Sequence, residues 1–334
     1  MVDTSLWDQI LTAVDRHQNF IITTHINPDG DAIGSEIAIS EFLKARGKRV
    51  HMINISATPE NYRFLDESNE IIVYDSVASE QKQLIAEADV FIFVDISDWH
   101  RLRELGQAIQ AMSAPKICID HHHCEGPFSD LDVIYEEASS TGELIYDFLI
   151  YASHEFTLKI AKALYTCILT DTGSFRFSNT TARTHYIASQ LFTYGFDART
   201  IYQEVYERNT QSKIILMGKA LSHLKFDCND KLAWFVISRE MFQESGADKW
   251  DTEGFPEIPR TIDGVEVSLM FTEMEAGKTK VSLRSKGQIV INGVAKKLGG
   301  GGHDFAAGAV VEKPLDETID IALKHTKEVV CDEN

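Results

Sequence analysis

IITTHINPDGDAIG, residues 21–34, is the stretch that decides the fold. It begins with an apolar, β-branched run typical of a buried strand, and it passes through an Asn-Pro-Asp-Gly turn into a helical pattern. The turn carries His25, Asn27, Asp29 and Asp31. We therefore predict a strand that delivers an imidazole and two carboxylates to its carboxyl end, where open α/β sheets place their ligands.

The same layout recurs at other apolar runs. VFIFV is followed by Asp95, KICI is followed by Asp120, His121 and His122, and the helical run TCILTD ends in Asp171. Ordinary turn chemistry explains one such ending, and a His run is also typical of a solvated loop. Neither explains three apolar strands with the same kind of ending. Because carboxylates repel one another unless cations offset their charge, the pattern predicts a site for hard or borderline divalent metal.

These segments supply enough donor atoms for a pair of ions. The candidate ligands are four carboxylates and two imidazoles, namely His25, Asp29, Asp31, Asp95, His121 and Asp171. Two ions about 3.5 to 4 Å apart, with one carboxylate between them, would use such a set. Cys124 lies close to His121 in the sequence, but a soft thiolate fits poorly among hard oxygen ligands.

Composition limits the classes of function. The chain has 334 residues, of which 51 are acidic and 32 basic, and its formal net charge is -19. The length predicts two domains, and the acidic balance disfavours the binding of long duplex nucleic acid while permitting a short anionic substrate. No apolar run has the length of a membrane span, and the N-terminal residues do not resemble a signal sequence. We expect a cytoplasmic protein with no membrane partner.

The cysteines predict no disulfide framework. Their number is odd, and none of them forms a C-x-x-C pair, so reduced and mostly buried thiols are expected. They are Cys118, Cys124, Cys167, Cys228 and Cys331.

Strand and helix patterns alternate through the first half of the chain. Continuously apolar runs such as IIVY and VFIFV are typical of parallel strands covered on both faces. We predict a doubly wound, mostly parallel α/β domain over residues 1–195, followed by a linker over residues 196–212. The predicted helices cover residues 3–18, 32–46, 99–112, 139–151, 158–169, 182–194 and 198–208, and no strand is expected after Asp120 in this domain.

Residues 213–334 predict a second, smaller α/β domain. Its strands are expected at residues 232–237, 265–274, 280–284 and 306–311, and its helices at 212–225, 290–298 and 315–330. The acidic residues Asp332 and Glu333 predict a frayed end.

The second domain contains the run GGGGHDFAAG, residues 299–308. A glycine run by itself is typical of a flexible hinge. The small residues that follow favour a formed loop instead, whose amides could approach a phosphate closely. Candidate binding groups are the backbone of this glycine run, His303 as a donor and Arg284 as a planar cation. In the first domain Arg101 is a further candidate for a phosphate contact, although a solvated helix arginine is an equal alternative.

Five motifs, HINPDGDA, VDIS, DHH, TDTGSFRF and GGGGHDFAAG, resemble in order and spacing those of the DHH phosphoesterase family. The resemblance is to the branch with a C-terminal DHH-associated domain, and it covers nearly the whole chain. It implies a first metal held by His25, Asp29 and Asp95. It implies a second metal held by Asp31, Asp95, His121 and Asp171, so that Asp95 is the bridge. His122 would face the substrate phosphate or orient the ligands, and Asp120 and Asn27 would support them from behind.

The resemblance also implies an activity. Relatives in this branch use divalent ions, usually manganese, with magnesium, cobalt or iron as alternatives, to activate a water that attacks phosphorus. The expected substrates are oligoribonucleotides of about two to five nucleotides, cut to 5' mononucleotides, and 3'-phosphoadenosine 5'-phosphate, cut to AMP. An active-site cleft between the two domains would hold the scissile phosphate on one side and the chain end on the other. The resemblance implies that the terminal phosphate or base side of the substrate is bound by Arg284, Ser285, Gly300, Gly301, Gly302 and His303. A homodimer is expected from the same resemblance.

Several alternatives stay open at this point. The same metals would serve a phosphodiesterase for linear or cyclic dinucleotides. A RecJ-type exonuclease for long strands is disfavoured by the charge, and a family II inorganic pyrophosphatase is disfavoured by the GGGGH element. From another class, a catalytically silent nucleotide sensor would be expected to lack a metal ligand, and all six candidate positions are filled.

Overall fold

The first half of the chain is built on a parallel sheet. The computed structural model describes residues 2–124 and 126–331. Its first compact unit, Met1–Arg208, contains a six-stranded sheet whose neighbouring strands all run parallel. The strands are β1 (Asn19–Thr23), β2 (Arg49–Asn54), β3 (Ile71–Val73), β4 (Val90–Val94), β5 (Lys116–Asp120) and β6 (Leu131–Ile134).

The order of these strands determines where a site can form. Across the sheet the order is β3-β2-β1-β4-β5-β6, so the winding direction reverses between β1 and β4. In open α/β sheets a crevice forms at this reversal, beside the carboxyl ends of the strands. The adjacent strands β1, β4 and β5 are the three whose sequences predict metal-capable endings.

Helices cover both faces of this sheet. They are α1 (Thr4–Arg16), α2 (Gly30–Ala45), α3 (Ser79–Ala86), α4 (Arg103–Gln110), α5 (Thr141–Tyr151), α6 (Leu158–Asp171), α7 (Ala182–Phe192) and α8 (Ala198–Tyr206). Phe20 and Ile22 of β1 pack in one core with α1, α2, α5 and α6. Ile21 points the other way, into a second core with α3 and α4. The predicted doubly wound α/β domain is confirmed.

Along the chain, the boundary between the two compact units falls within the predicted linker. The first unit ends at Arg208 and the second begins at Asn209. Ile201 and Val205 of α8 pack into the core of the first unit. Much of the predicted linker, residues 196–212, is therefore a helix of the first unit, because its apolar residues recur at helical spacing and are buried.

The second unit, Asn209–Asn334, contains a mixed sheet. Its elements are α9 (Gln211–Leu221), β7 (Lys225–Asp227), β8 (Leu232–Ile237), α10 (Arg239–Ser245), β9 (Val267–Glu273), β10 (Thr279–Ser285), α11 (Asn292–Lys297), β11 (Gly301–His303), β12 (Ala306–Val311) and α12 (Leu315–Val330). The strand order is β11-β12-β10-β9-β8-β7. Only β8 and β9 pair in parallel among the described neighbours, and the other pairs are antiparallel. The expected smaller α/β domain is confirmed.

The glycine run forms part of an edge strand. Gly301–His303 make up β11, which pairs antiparallel with β12. A β-carbon on Gly300 would lie 2.1 Å from the carbonyl oxygen of Gly308 and 2.6 Å from Cα of Ala309. No side chain fits where the run approaches β12, so glycine is required at position 300. The run has a defined conformation and is not a flexible hinge.

Sequence patterns do not indicate several short elements. The region after Asp120, predicted to be wholly helical, contains β6, and α3, β7, α10 and β11 are also absent from the prediction. The helix predicted over residues 99–112 is divided into a 3-10 turn at Trp99–Leu102 and α4. Arg103, where they join, has a positive φ of 52°. These elements have three to eight residues, which is too short for the periodicity of apolar residues to identify them.

Two of the cysteines form a disulfide. Cys228 and Cys331 are bonded, with Cα atoms 5.0 Å apart, and Cys118, Cys124 and Cys167 are free. The prediction of five reduced thiols is therefore wrong for this pair. The two cysteines are 103 residues apart in the sequence, so their spacing gives no signal, and folding brings the end of α12 to the turn after β7. Lys327 pairs with Asp227 at 2.7 Å beside the same bond.

Asp332 and Glu333, predicted as a frayed end, lie outside the described residues. Across residues 2–124 and 126–331, no helix combines the length and the apolar character needed to span a membrane.

Helix α2 buries a carboxylic acid next to β2. Glu36 is fully buried, and its Oε2 accepts a hydrogen bond from Nδ2 of Asn54 at 2.7 Å. Oδ1 of Asn54 in turn accepts from the backbone N–H of Thr24 at 3.2 Å. Burial raises the pKa of Glu36 to about 8, although the Asn54 hydrogen bond opposes the shift. A protonated Glu36 therefore connects α2 and β2 with the end of β1, one residue before His25.

We predict that Glu36→Gln removes a pH-dependent part of the stability. The folded protein holds this proton up to a pH of about 8, whereas the pKa of an unperturbed glutamate is 4.5. Wild-type stability should therefore fall as pH rises through this window, because the folded state binds more protons than the unfolded state. Chemical unfolding at pH 5, 7 and 9 should show the variant gaining on wild type as pH rises. The exposed Glu67→Gln is the control, and a pH-independent difference for Glu36→Gln would contradict the prediction.

Candidate metal centre

Helix α2 presents two carboxylates at its first turn. Asp29 caps the helix, and its Oδ1 accepts from the backbone N–H groups of Asp31 at 3.0 Å and Ala32 at 3.1 Å. Asp31 lies in the first helical turn and is fully buried. The positive end of the helix dipole stabilises both negative charges. The Asn-Pro-Asp-Gly turn thus supplies the N-terminal cap of α2.

Asp95 follows β4 directly and lies at the centre of the site. Its backbone N–H donates to the Ile119 carbonyl at 3.1 Å, which continues the pairing with β5. Its φ of 57° is in the left-handed region, which is uncommon for residues other than glycine. The carboxylate is 1% exposed, and its Oδ2 lies 3.4 Å from Nε2 of His25, the residue that follows β1 by two positions.

His121 connects the end of β5 with the end of α6. Its Nδ1 donates to the Ala138 carbonyl at 3.2 Å, which directs Nε2 towards the carboxylates. Nε2 lies 3.0 Å from Oδ2 of Asp171, the last residue of α6, and 3.7 Å from oxygens of both Asp31 and Asp95. One imidazole nitrogen thus faces three carboxylates that belong to different elements.

The structure brings all six candidate ligands together. Three sets of donor atoms, each lying within 4.8 Å of one another, are found among the described residues: His25, Asp29 and Asp95; Asp31, His121 and Asp171; and Asp95, His121 and His122. The first two sets contain the residues that the family resemblance assigns to two separate metals. Asp95 and His121 link the sets, so the donors form one continuous cluster.

The electrostatics of the cluster fit a cation. Burial, together with the charge of Asp171, raises the pKa of Asp31 to about 7. Burial and the charge of Asp31 also raise the pKa of Asp95 well above its usual range. Burial would lower the pKa of His121, but the hydrogen bond that its imidazole donates to Asp171 and the charge of Asp31 outweigh this effect and raise the pKa to about 9. Divalent cations would replace these protons and offset the repulsion.

His25 is also suited to binding metal. Burial lowers its pKa, and the positive charge of Arg101 adds to the effect, while the charge of Asp29 opposes it. Its Nδ1 lies 2.9 Å from the Ile26 carbonyl. A neutral imidazole with Nδ1 engaged on a carbonyl presents Nε2 as a ligand atom.

Asp120 and His122 form a pair beside Asp95. Oδ1 of the buried Asp120 lies 2.8 Å from Nδ1 of His122 and accepts from the His122 backbone N–H at 3.1 Å. Hydrogen bonds and charge from His122 lower the pKa of Asp120 against the effect of burial. Nδ1 of His122 is also 3.5 Å from Asp95 Oδ1. The imidazole that Asp120 orients is therefore that of His122.

Asn27 and Arg101 lie at the edge of the cluster. Asn27 has a φ of 54°, and its backbone N–H donates to the Ser56 hydroxyl at 3.1 Å. Arg101 accepts through its carbonyl from the Ile26 N–H at 3.0 Å, which ties the segment after β4 to the turn after β1. The structure places both residues next to ligands, and Arg101 acts on His25 through its charge.

In the second unit, two candidate binding residues lie in one row across the sheet. Ala306 of β12 pairs with Arg284 of β10 on one side and with His303 of β11 on the other. Residues directly opposite one another in antiparallel strands project to the same face. Two strand spacings separate Arg284 from His303 by about 10 Å, with only the small Ala306 between them. Nε of Arg284 pairs with Oε1 of Glu257 at 2.5 Å.

Ser285 has a structural role within the second unit. Its side chain is buried, and its backbone N–H donates to the Phe305 carbonyl at 2.9 Å. Its hydroxyl accepts from the Gly287 N–H at 3.3 Å. It therefore shapes the turn after β10, and Arg284 and His303 offer the more accessible polar groups.

Thr141 and Gly142, which contact the buried carboxylates of the cluster, were not predicted from the sequence. The backbone N–H groups of Thr141 and Gly142, at the start of α5, donate to the two carboxylate oxygens of Asp31 at 2.7 and 2.9 Å. The Thr141 hydroxyl donates to Asp95 Oδ1 at 3.1 Å. A β-carbon on Gly142 would lie 2.3 Å from Cβ of Cys167. Residues 139–143, Ser-Ser-Thr-Gly-Glu, form a pattern typical of a helix N-terminal cap, and this was the sequence signal for the two residues. The N-terminus of a helix binds anions through its free backbone N–H groups.

Residues 19–171 match the DHH family, N-terminal domain, and residues 229–331 match the DHHA1 domain. The chain is 32% identical to the bifunctional oligoribonuclease and PAP phosphatase NrnA of Thermus thermophilus, over 93% of this chain and 89% of that protein. The chain belongs to the DHH family.

Solved structures of similar proteins agree with this DHH assignment. An exopolyphosphatase-related protein from Bacteroides fragilis has a TM-score of 0.93 at 30% identity, covering 98% of this chain and 97% of that one. The exonuclease RecJ bound to manganese shares the fold at 15% identity, with a TM-score of 0.53, over 98% of this chain and 95% of that one. The DHH chain described here is a hydrolase of phosphoric esters, with acidic and imidazole groups that can bind metal.

Thr141→Val is expected to weaken metal binding. The substitution removes the hydroxyl that positions Asp95 but keeps the side-chain volume and the N–H bond to Asp31. Loss of such a supporting hydrogen bond costs about 10- to 100-fold in metal affinity. Calorimetric titration of manganese into the metal-free protein measures it, and Thr141→Ser, which keeps the hydroxyl, is the matched control. Equal affinities for wild type and Thr141→Val would show that the hydroxyl does not position Asp95.

Proposed function

We propose that the protein hydrolyses oligoribonucleotides of about two to five nucleotides to 5' mononucleotides, and 3'-phosphoadenosine 5'-phosphate to AMP. The observation that carries this proposal is that two ligand sets lie side by side, linked by a third set that contains Asp95 of the first and His121 of the second. The name of the Thermus relative supports the choice of substrates. We further propose that the protein acts in the cytoplasm as a homodimer.

In this proposal His25, Asp29 and Asp95 hold one divalent ion, and Asp31, Asp95, His121 and Asp171 hold the other. Manganese is the proposed metal, with magnesium, cobalt or iron as substitutes. When bound, the two ions supply an activated water and offset charge on the phosphate oxygens. Asp95 would be the ligand that the two ions share, and His122, oriented by Asp120, would donate to a phosphate oxygen.

Residues of the second unit are proposed to hold the remainder of the substrate. Arg284 and His303 flank Ala306 in one row, and the glycines at 300, 301 and 302 leave the backbone before His303 without side chains. A planar guanidinium suits a terminal phosphate, and Arg101 is proposed to assist near the metals. The net charge of -19 acts against long duplexes.

The substrate proposal is tested by a panel. Purified protein with manganese is incubated with pApA, 3'-phosphoadenosine 5'-phosphate, a long single strand and pyrophosphate. We expect turnover of the first two and little of the others. Turnover of pyrophosphate alone, or a preference for the long strand, would rule out the short-substrate proposal.

Asp95→Asn is expected to lower kcat by about 1,000-fold or more, because several kcal/mol of charge stabilisation depend on this shared carboxylate. The substitution preserves shape, so circular dichroism should show an unchanged fold. Asp98→Asn, which alters a nearby cap that accepts from the His100 N–H, is the control. A kcat within tenfold of wild type would remove Asp95 from its proposed role.

Arg284→Ala is expected to raise KM for pApA about tenfold with little change in kcat, as expected for the loss of one charge-assisted hydrogen bond to substrate. Arg260→Ala is a matched control, since Arg260 pairs with the other oxygen of the same Glu257 carboxylate. An equal rise in KM in both variants would assign the effect to Glu257 and not to substrate binding.

A further inference from the structure

The turn that follows Asp171 holds an aromatic ring at the surface. Phe177 is 52% exposed, and its carbonyl accepts from the Thr180 N–H at 3.0 Å while its own N–H donates to the Thr172 carbonyl at 3.0 Å. A β-carbon on Gly173 would lie 2.5 to 2.7 Å from three atoms of the ring, so the ring rests directly on the Gly173 backbone. One side of an apolar ring is thereby fixed, and much of the remainder is open to solvent.

Several contacts make this turn rigid and tie it to the metal centre. Nδ2 of Asn179 donates to the carbonyls of Asp171 at 3.1 Å and Ser139 at 3.0 Å, which joins the turn to a candidate ligand and to the segment before α5. Gly173, Ser174 and Phe175 all have positive φ. Phe175 faces inward and stacks on His185, with ring centroids 5.1 Å apart, so the two aromatic residues of the turn have opposite roles.

A positive charge accompanies the exposed ring. Nε of Arg176 donates to the Gly173 carbonyl at 2.6 Å, and its guanidinium carbon lies 5.8 Å from the centroid of the Phe177 ring. An aromatic face beside a fixed cation is the combination that binds single-stranded nucleotides, since every base has a π-face and carries a phosphate nearby.

We infer that Phe177 is a stacking platform for the nucleobase of the nucleotide whose phosphate lies at the metal centre, with Arg176 next to that nucleotide's phosphate. The inference rests on the proposed function, because it assumes a nucleotide substrate. It explains why a glycine precedes the platform: any side chain at position 173 would displace the ring. The platform recognises the base by stacking and therefore accepts different bases.

The test compares two ligands that differ only in the base. Binding of AMP and of ribose 5-phosphate to the manganese-loaded protein is measured by equilibrium dialysis for wild type, Phe177→Ala and Phe177→Trp. Wild type should prefer AMP, and Phe177→Ala should reduce the ratio of affinities by about 5- to 100-fold, the range for loss of one stacked base. Phe177→Trp should keep the preference. Tyr186→Ala, which removes a ring that is 56% exposed on α7, is the matched control.

The outcomes separate this inference from the proposed function. An unchanged AMP preference in Phe177→Ala, or no preference in wild type, would overturn the platform even if pApA is hydrolysed. A preference that Phe177→Ala removes would support the platform even if turnover of pApA fails, since dialysis does not depend on catalysis. Hydrolysis of pApA by wild type, measured in parallel, reports on the proposed function alone.

Discussion

Two buried carboxylates, Asp31 and Asp95, must stay close together, and the rest of the site depends on this constraint. Burial and mutual repulsion both favour their protonated forms. The fold opposes this with the amides at the start of α5, the Thr141 hydroxyl and the imidazole of His121. These groups lessen the repulsion without removing it, and divalent cations would complete the balance. The protein thus folds into an arrangement that a divalent metal would stabilise.

Sheet topology is what allows distant segments to satisfy the constraint. The strand order reverses between β1 and β4, which opens a crevice at the carboxyl ends of these strands. Strand β5 is the neighbour of β4, so its carboxyl end borders the same crevice. Helices α2 and α5 then point their N-termini at the same crevice, and α6 ends there with Asp171. The dipoles of α2 and α5 therefore present their positive ends to the crevice, where the negatively charged carboxylates lie. The second unit adds a separate surface in which Arg284 and His303 share a row.

The ligands and the fold class could be predicted from the sequence, because metal-binding residues directly follow apolar runs that are typical of buried strands. Strand order is not visible, so the sharing of Asp95 between two sets came only from the family resemblance. Thr141 and Gly142 were not predicted, because they contact Asp31 through backbone N–H groups, and every residue except proline has such a group. The bond between Cys228 and Cys331 and the short strand β6 depend on long-range folding in the same way. The alignment of Arg284 with His303 needed the strand register, which a one-residue shift would destroy.

Anomalous X-ray scattering at the manganese edge, from crystals of the protein grown with manganese, tests the central claim most directly. Two peaks about 3.5 to 4 Å apart are expected, with the Asp95 carboxylate in contact with both. His25 and Asp29 should flank one peak, and Asp31, His121 and Asp171 the other. A single peak, or two peaks that do not share Asp95, would contradict the account.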